Sequence, residues 1–191
     1  MRCVKVRLVS VAPYSQGRYY QVPKLPRELI DDYEARTWRE RLHTNANGQV
    51  YVPPMALKRS IENAARYLAT QIPGKGKQTY TKHFTSGLLV IFPMLLVDHS
   101  DTPILASEVQ GVWYYVPSDG VRGGGKRVKK CFPEIPQWKG DAEFLILDDI
   151  ITPEVFQHHL EQAGRFIGIG RFRPENGGYY GRFVAENYEW S

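Results

Sequence analysis

In the first ten residues, MRCVKVRLVS, Val4, Val6 and Leu8 alternate with Cys3, Lys5 and Arg7. A period of two predicts a strand with one apolar and one basic face. A long polar and aromatic stretch follows, with Pro23, Pro26 and the turn signal Asn47-Gly48; it reads as an insertion over about 12–50, with helical turns around Arg27 to Arg41. In VYVPPMALKRSIENAARYLATQIPG, Leu57, Ile61, Ala64 and Leu68 recur at spacings of four, three and four behind two prolines, which predicts a helix with Lys58, Arg59, Glu62 and Arg66 on its other face. The basic hinge GKGKQTYTKHF leads to SGLLVIFPMLLV, whose apolar run suits a buried strand, and EVQGVWYYV reads as another. EFLILDD is a short apolar strand. TPEVFQHHLEQAG then predicts a helix with Thr152 as N-cap, Pro153 at its first position, Phe156, His159, Leu160 and Ala163 on one face, and Gly164 as its stop. GRFVAENYEW closes the chain as a strand. The order strand, helix, two or more strands, helix, strand predicts an α+β, ferredoxin-like (RRM-like) βαββαβ core.

Composition adds limits. A chain of 191 residues suits one domain, 1–191, with insertions at about 12–50 and 117–140. Hydrophobic residues at 42% and aromatics at 13% are more than a disordered chain carries. Cys3 and Cys131 are too few for a disulfide framework and lack zinc-site spacing, so a reducing, cytoplasmic setting is expected. The longest apolar run is interrupted by Pro93 and the start alternates, so neither a membrane span nor a signal peptide is expected.

A net charge of +5 favours polyanions once the charges are located. They gather in three segments. Arg122, Lys126, Arg127, Lys129 and Lys130 stand beside three glycines with no acid among them, a composition that can lie along a phosphate backbone or simply be a solvated loop. Lys75, Lys77 and Lys82 interleave with Tyr80, His83 and Phe84. In GRFIGIGRFRPENGGYYGRF, Arg165, Arg171, Arg173 and Arg182 alternate with rings against one acid, Glu175. Cations neutralise phosphates and rings stack bases, so the pairing points to single-stranded nucleic acid. Within that stretch the part around Arg171, Arg173 and Tyr179 is expected to be the functional loop. A disordered arginine-glycine segment is the alternative, opposed by Ile167 and Ile169.

Other chemistries find less support. GKGKQT and GIGRFR lack the residues that phosphate loops and dinucleotide folds require. His159 fits a core position, and His158 beside it points elsewhere, so no metal pair forms. Asp148 and Asp149 suit a turn. No metal and no cofactor are expected. His83, among lysines, is the one histidine that suits a general base.

Taken together the pattern resembles the RAMP superfamily of CRISPR-associated proteins. VPPMALKRSIENAARYL is similar to the family's first helix, with Lys58 two positions after Ala56. VRGGGKRVKK lies where the family inserts RNA-contacting segments, and GRFIGIGRFRPENGGYYGRF falls where it has its glycine-rich loop. The loop here is longer and richer in arginine and rings. The resemblance spans most of the chain and implies a backbone-like subunit, or a compact phage or mobile-element relative, that binds single-stranded RNA or DNA and assembles as a homo-oligomer or filament along it. Three functions follow: a non-catalytic RNA-binding protein gripping its strand through Lys58, Arg59, Arg66, Arg122 to Lys130, Arg171, Arg173 and Tyr179; a metal-independent endoribonuclease using His83; and an assembly subunit anchored by Trp38, Trp113 and Trp190.

Overall fold

The structure is a computed structural model and describes residues 1–121 and 123–191. In chain order it contains β1 (Arg2–Ser10), α1 (Ile30–Thr37), β2 (Tyr51–Val52), α2 (Pro54–Leu68), α3 (Thr81–Gly87), β3 (Leu88–Val90), β4 (Met94–Leu95), β5 (Gln110–Pro117), β6 (Arg127–Glu134), β7 (Lys139–Ile146), α4 (Pro153–Gln162) and β8 (Phe183–Trp190). Four strands form an antiparallel sheet in the order β3-β7-β1-β8. With α2 between β1 and β3, and α4 between β7 and β8, the order and pairing are those of a ferredoxin-like sheet. The fold class is α+β, as the periodicity predicts. Two further antiparallel pairs, β2-β4 and β5-β6, stand beside the sheet. Among the described residues no helix is long and apolar enough to cross a membrane.

Alternation explains the layers. Val4, Val6 and Leu8 of β1 and Ala142, Phe144 and Ile146 of β7 are buried on one face, against Leu57, Ile61 and Ala64 of α2 and Phe156 and Leu160 of α4. Thr152 caps α4 as its sequence position predicts, its Oγ1 accepting from the Val155 N–H at 3.4 Å. On the opposite face of the sheet Lys5 and Arg7 meet Asp141, with Glu143 beside Lys5 and Glu186 beside Arg7 in register.

Three expectations are corrected. SGLLVIFPMLLV is not one buried strand: Ser86 and Gly87 end α3, and the run then divides at Pro93, which cannot donate to a ladder. Its first half pairs with β7, its second turns to pair with β2, and Ile91 and Phe92 between them are exposed. The segment expected as an insertion at about 117–140, with its basic stretch read as a loop, contains β6, with Cys131 and Phe132 buried, and Ile135 just after it is buried too. The two lysines of β6 are matched from another element. Glu34 of α1, itself buried, accepts from Lys130 Nζ at 2.8 Å and Arg41 Nη2 at 2.7 Å, and Lys129 faces Asp31 at 3.3 Å. Gly164, finally, does not stop α4. The helix widens into a π turn through Ile167, and Gly168, at φ +71°, ends it.

Of the three tryptophans expected as interface anchors, one lies in the core and one is partly buried against it. Trp38 is buried in the core, and Trp190 packs edge-on to Phe156 at 5.8 Å. Trp113 on β5 remains partly exposed, with Lys129 Nζ 4.5 Å from its ring.

His159 is buried, as its place on the apolar face of α4 predicts, between Phe84 and Tyr80. Its Nδ1–H donates to the Val155 carbonyl at 2.7 Å, and burial pushes its pKa down. The neutral ring is favoured in the folded state, so the unfolded chain binds the extra proton below about pH 6.5 and stability falls as pH drops through that point. The urea midpoint is expected to fall between pH 7.5 and 5.0, and to fall less in His159→Phe. Equal slopes in the two proteins would contradict this.

Candidate nucleic-acid interface

The helix side of the molecule carries a continuous depression along α2. At the start of that helix a groove of about 340 Å³ lies between Arg59 and Ser60 and the segment Gly168 to Arg173. It shares Asn63, Ile167 and Glu175 with a second groove of about 610 Å³, lined further by Arg66, Tyr67, Phe166 and Arg182. Arg66 in turn borders a third, of about 590 Å³, which runs past Lys82 of α3. On a helix, positions 59, 63, 66 and 67 are spaced by four, three and one and share a face, so one flank of α2 faces this whole path.

The opposite wall is the glycine-rich segment, whose backbone is fixed at both sides. Ser60 Oγ, buried on α2, donates to the Gly168 carbonyl at 2.9 Å. Ile169 N–H donates to Gly181 O, Arg171 N–H to Ser15 O, Tyr180 N–H to Phe172 O and Gly181 N–H to Pro13 O, all at 2.7–3.0 Å. At this spacing a side chain does not fit: a Cβ on Gly181 would overlap the Ile169 carbonyl, and one on Gly178 the Phe172 carbonyl. The hairpin β5-β6 braces the same segment, since the Tyr180 hydroxyl donates to Glu134 and lies 2.8 Å from the Tyr114 hydroxyl. Burial, then the bond to Glu134, drives the Tyr180 pKa strongly upward, so the phenol stays protonated as a donor.

The residues expected to form the site separate into groups. Arg59, Arg66 and Lys82 are exposed and lie on the path, joined by Arg173, whose Nε donates to Glu175 at 2.8 Å. Tyr179 is exposed near the hairpin, its ring 4.7 Å from that of Tyr180. Lys75 and Lys77 are exposed in the turn before α3, outside the three grooves. Lys126 and Arg127 are exposed at the start of β6, Arg127 donating to the Tyr115 carbonyl at 3.2 Å, while Lys129 and Lys130 are engaged by α1. Arg122 lies outside the described residues.

Two residues stand elsewhere than expected. Lys58 is one helical step from Arg59 and therefore faces α3, where Nζ pairs with Glu62 and donates to the Thr85 carbonyl at 2.7 Å. It ties two helices together. Arg171 turns inward, its guanidinium 3.0 Å from the Phe132 ring centre and 4.6 Å from that of Phe172. Burial, then the nearby Arg41, pushes its pKa down to about 10. Its Nη1 is enclosed with no acceptor among the described residues, and ring faces supply the attraction instead.

Asn63, Tyr67, Phe166, Glu175 and Arg182 complete the grooves but were not expected in the site. Tyr67 and Phe166 stand 5.4 Å apart. The signal for Asn63 and Tyr67 was their helical spacing from Arg59 and Arg66; nothing in the sequence places Phe166 or Arg182 opposite them. His83 has an orienting partner that sequence spacing did not reveal. Its Nδ1–H donates to Asp148 Oδ2 at 2.6 Å, while Nε2 is enclosed without a partner among the described residues. Burial works to raise the Asp148 pKa, but bonds from His83 and from the Ile150 N–H outweigh it, and the carboxyl sits below its usual range.

No protein-family model matches the chain, and no curated protein matches its sequence. The structure is similar to a chain in the cryo-EM structure of the Type III-B Cmr-beta bound to cognate target RNA, with a TM-score of 0.54 and 9% identity over 99% of this chain and 60% of that one. The present chain thus spans about three fifths of that relative's length. A crystal structure of Cmr6 from Pyrococcus furiosus matches with a TM-score of 0.49 and 13% identity, over 97% of this chain and 98% of that one. The first of these two likenesses bears out the expected RAMP-like fold, as a fold alone.

The glycine wall has a direct test. Gly48→Ala, at φ +78° in open space, is expected to cost about 1 kcal/mol from the backbone alone. Gly181→Ala, which adds overlap with backbone at φ +68°, should cost at least about twice as much in urea unfolding. Equal costs would mean that the wall can yield.

Proposed function

We propose that this chain is a single-domain, single-stranded RNA-binding protein of RAMP-like fold, which binds along α2 and carries out no chemistry of its own. The observation that carries this reading is the depression itself: Arg59, Arg66, Arg173, Arg182 and Lys82 follow one another along it, with Tyr67 and Phe166 at its centre. Cations in such a row neutralise phosphates, and rings between them take stacked bases. A fold shared with a chain from an RNA-bound Type III-B Cmr-beta supports the same ligand. The open face of the sheet, where RNA-recognition domains place stacking rings, instead carries Asp141, Glu143, Glu186 and Glu189 beside Lys5 and Arg7. That charge disfavours a phosphate backbone. The basic turn at Lys75 and Lys77 and the hairpin start at Lys126 and Arg127 extend the positive surface for a longer strand, and neighbouring copies along one RNA would form a filament.

Filter binding of a uridine-rich single-stranded RNA over a salt series tests the reading. Affinity is expected to fall steeply with salt, and the Arg59→Ala, Arg66→Ala double variant to flatten the log–log slope by about 1.4, two phosphates at about 0.7 each. Salt-insensitive binding, or an unchanged slope, would overturn it. A second reading, metal-independent RNA cleavage with His83 as base, draws on the bond to Asp148; the enclosed Nε2 stands against it. Cleavage in chelator that disappears in His83→Ala while binding persists would establish it, and intact RNA with the wild-type protein would remove it.

A further inference from the structure

Among the described residues lining the two grooves on either side of Asn63, Glu175 is the one acid, in a path of four arginines. Its position is held from both walls. Oε1 accepts from Asn63 Nδ2 at 2.7 Å, across from α2, and Oε2 accepts from Arg173 Nε at 2.8 Å. Asn63 Oδ1 accepts in turn from Arg66 Nη1 at 3.3 Å, so a polar chain crosses the depression from helix to loop. The turn Pro174–Asn176 that carries the carboxylate is closed by bonds to the Arg173 and Pro174 carbonyls at 2.8–3.1 Å.

A carboxylate with two oxygens has about four acceptor sites, and two of them are used here. The remaining sites repel phosphate and attract N–H donors. A strand lying along α2 must therefore present a base edge, and not its backbone, where it passes Glu175. The geometry points to a guanine-selective subsite at Glu175, an inference that rests on the RNA-binding reading above and adds a base preference to it. Guanine offers adjacent N1–H and N2–H donors on its Watson–Crick edge, which matches an acceptor-only group. Adenine and cytosine each place a ring-nitrogen acceptor beside their single donor group, and uracil sets its N–H between two carbonyl oxygens, so each brings like partial charges together at the carboxylate. The Tyr67 and Phe166 rings, in the same groove, offer a face on which that base can stack. Arg66 and Arg182 flank it for the adjoining phosphates.

Fluorescence anisotropy with a 12-nucleotide oligouridine and with the same strand carrying one central guanosine, or one adenosine, decides the matter. The guanosine strand is expected to bind about tenfold tighter than the other two, the discrimination of one good bidentate base contact. In Glu175→Gln the preference should shrink to about twofold, because an acceptor-only group has become one that also donates. A merely structural role for Glu175 would weaken all three strands alike, and a thermal melt of Glu175→Gln and Glu175→Ala confirms that the fold persists. Equal binding of the three strands by the wild-type protein, or a tenfold preference retained in both variants, overturns the guanine assignment and leaves the RNA-binding reading standing. Binding of none of the three overturns that reading, and the assignment with it.

Discussion

The close approach of the glycine-rich segment to its neighbours is the constraint on which the site depends. The Gly168 carbonyl accepts from Ser60 on α2, Gly181 lies against the Ile169 carbonyl, and Gly164 against Phe183 at the start of β8. Backbones meet there at distances that exclude a Cβ. As a result the wall opposite α2 is a framework of main-chain hydrogen bonds, and Arg173, Glu175 and Phe166 project from fixed points. Precise placement of this kind gives a groove its shape before any ligand arrives, which lowers the ordering cost of binding.

Charge is sorted over the surface by a second set of contacts. The insertion that carries α1 supplies Asp31 and Glu34 to the basic strand β6, and buried Glu34 also holds Arg41. Burial alone would raise the Glu34 pKa, but the bonds from Lys130 and Arg41 prevail and keep it below its usual range. Lys129 and Lys130, which look available in the sequence, are thereby engaged within the fold. Along α2 the balance differs, since Arg59 and Lys82 have no ion pair among the described residues. A net charge of +5 is thus distributed between a helix side rich in cations and a sheet face on which acids outnumber bases.

Elements with a strong local signal were legible. β1, α2, α4 and β8 follow from period and capping, because alternation and helical spacing act between neighbours in sequence. The hairpin β5-β6 was half legible: its first strand is apolar enough to read, but its second owes its burial to carboxylates nearly a hundred residues earlier. Of the candidate site, Arg59, Arg66, Lys82 and Arg173, which line the grooves, were legible through charge alone. Lys58 and Arg171 have the same side-chain chemistry and went elsewhere, since a step of one residue on a helix, or an inward-facing turn beside Phe132, reverses what a cation meets.

The amino-acid sequence by itself determined the α+β order of the chain, its basic character and the glycines and rings from which a binding wall can be made. Those properties rest on local sterics and hydrophobic periodicity, which the chain carries wherever it goes. The tertiary structure alone decided what each part of GRFIGIGRFRPENGGYYGRF faces. Gly164 packs under β8, Arg171 is drawn onto Phe132, and Phe166 and Arg182 meet Tyr67 and Arg66 across a groove. Contacts between residues distant in sequence depend on how the sheet and helices close on one another, and no local pattern in the chain records that.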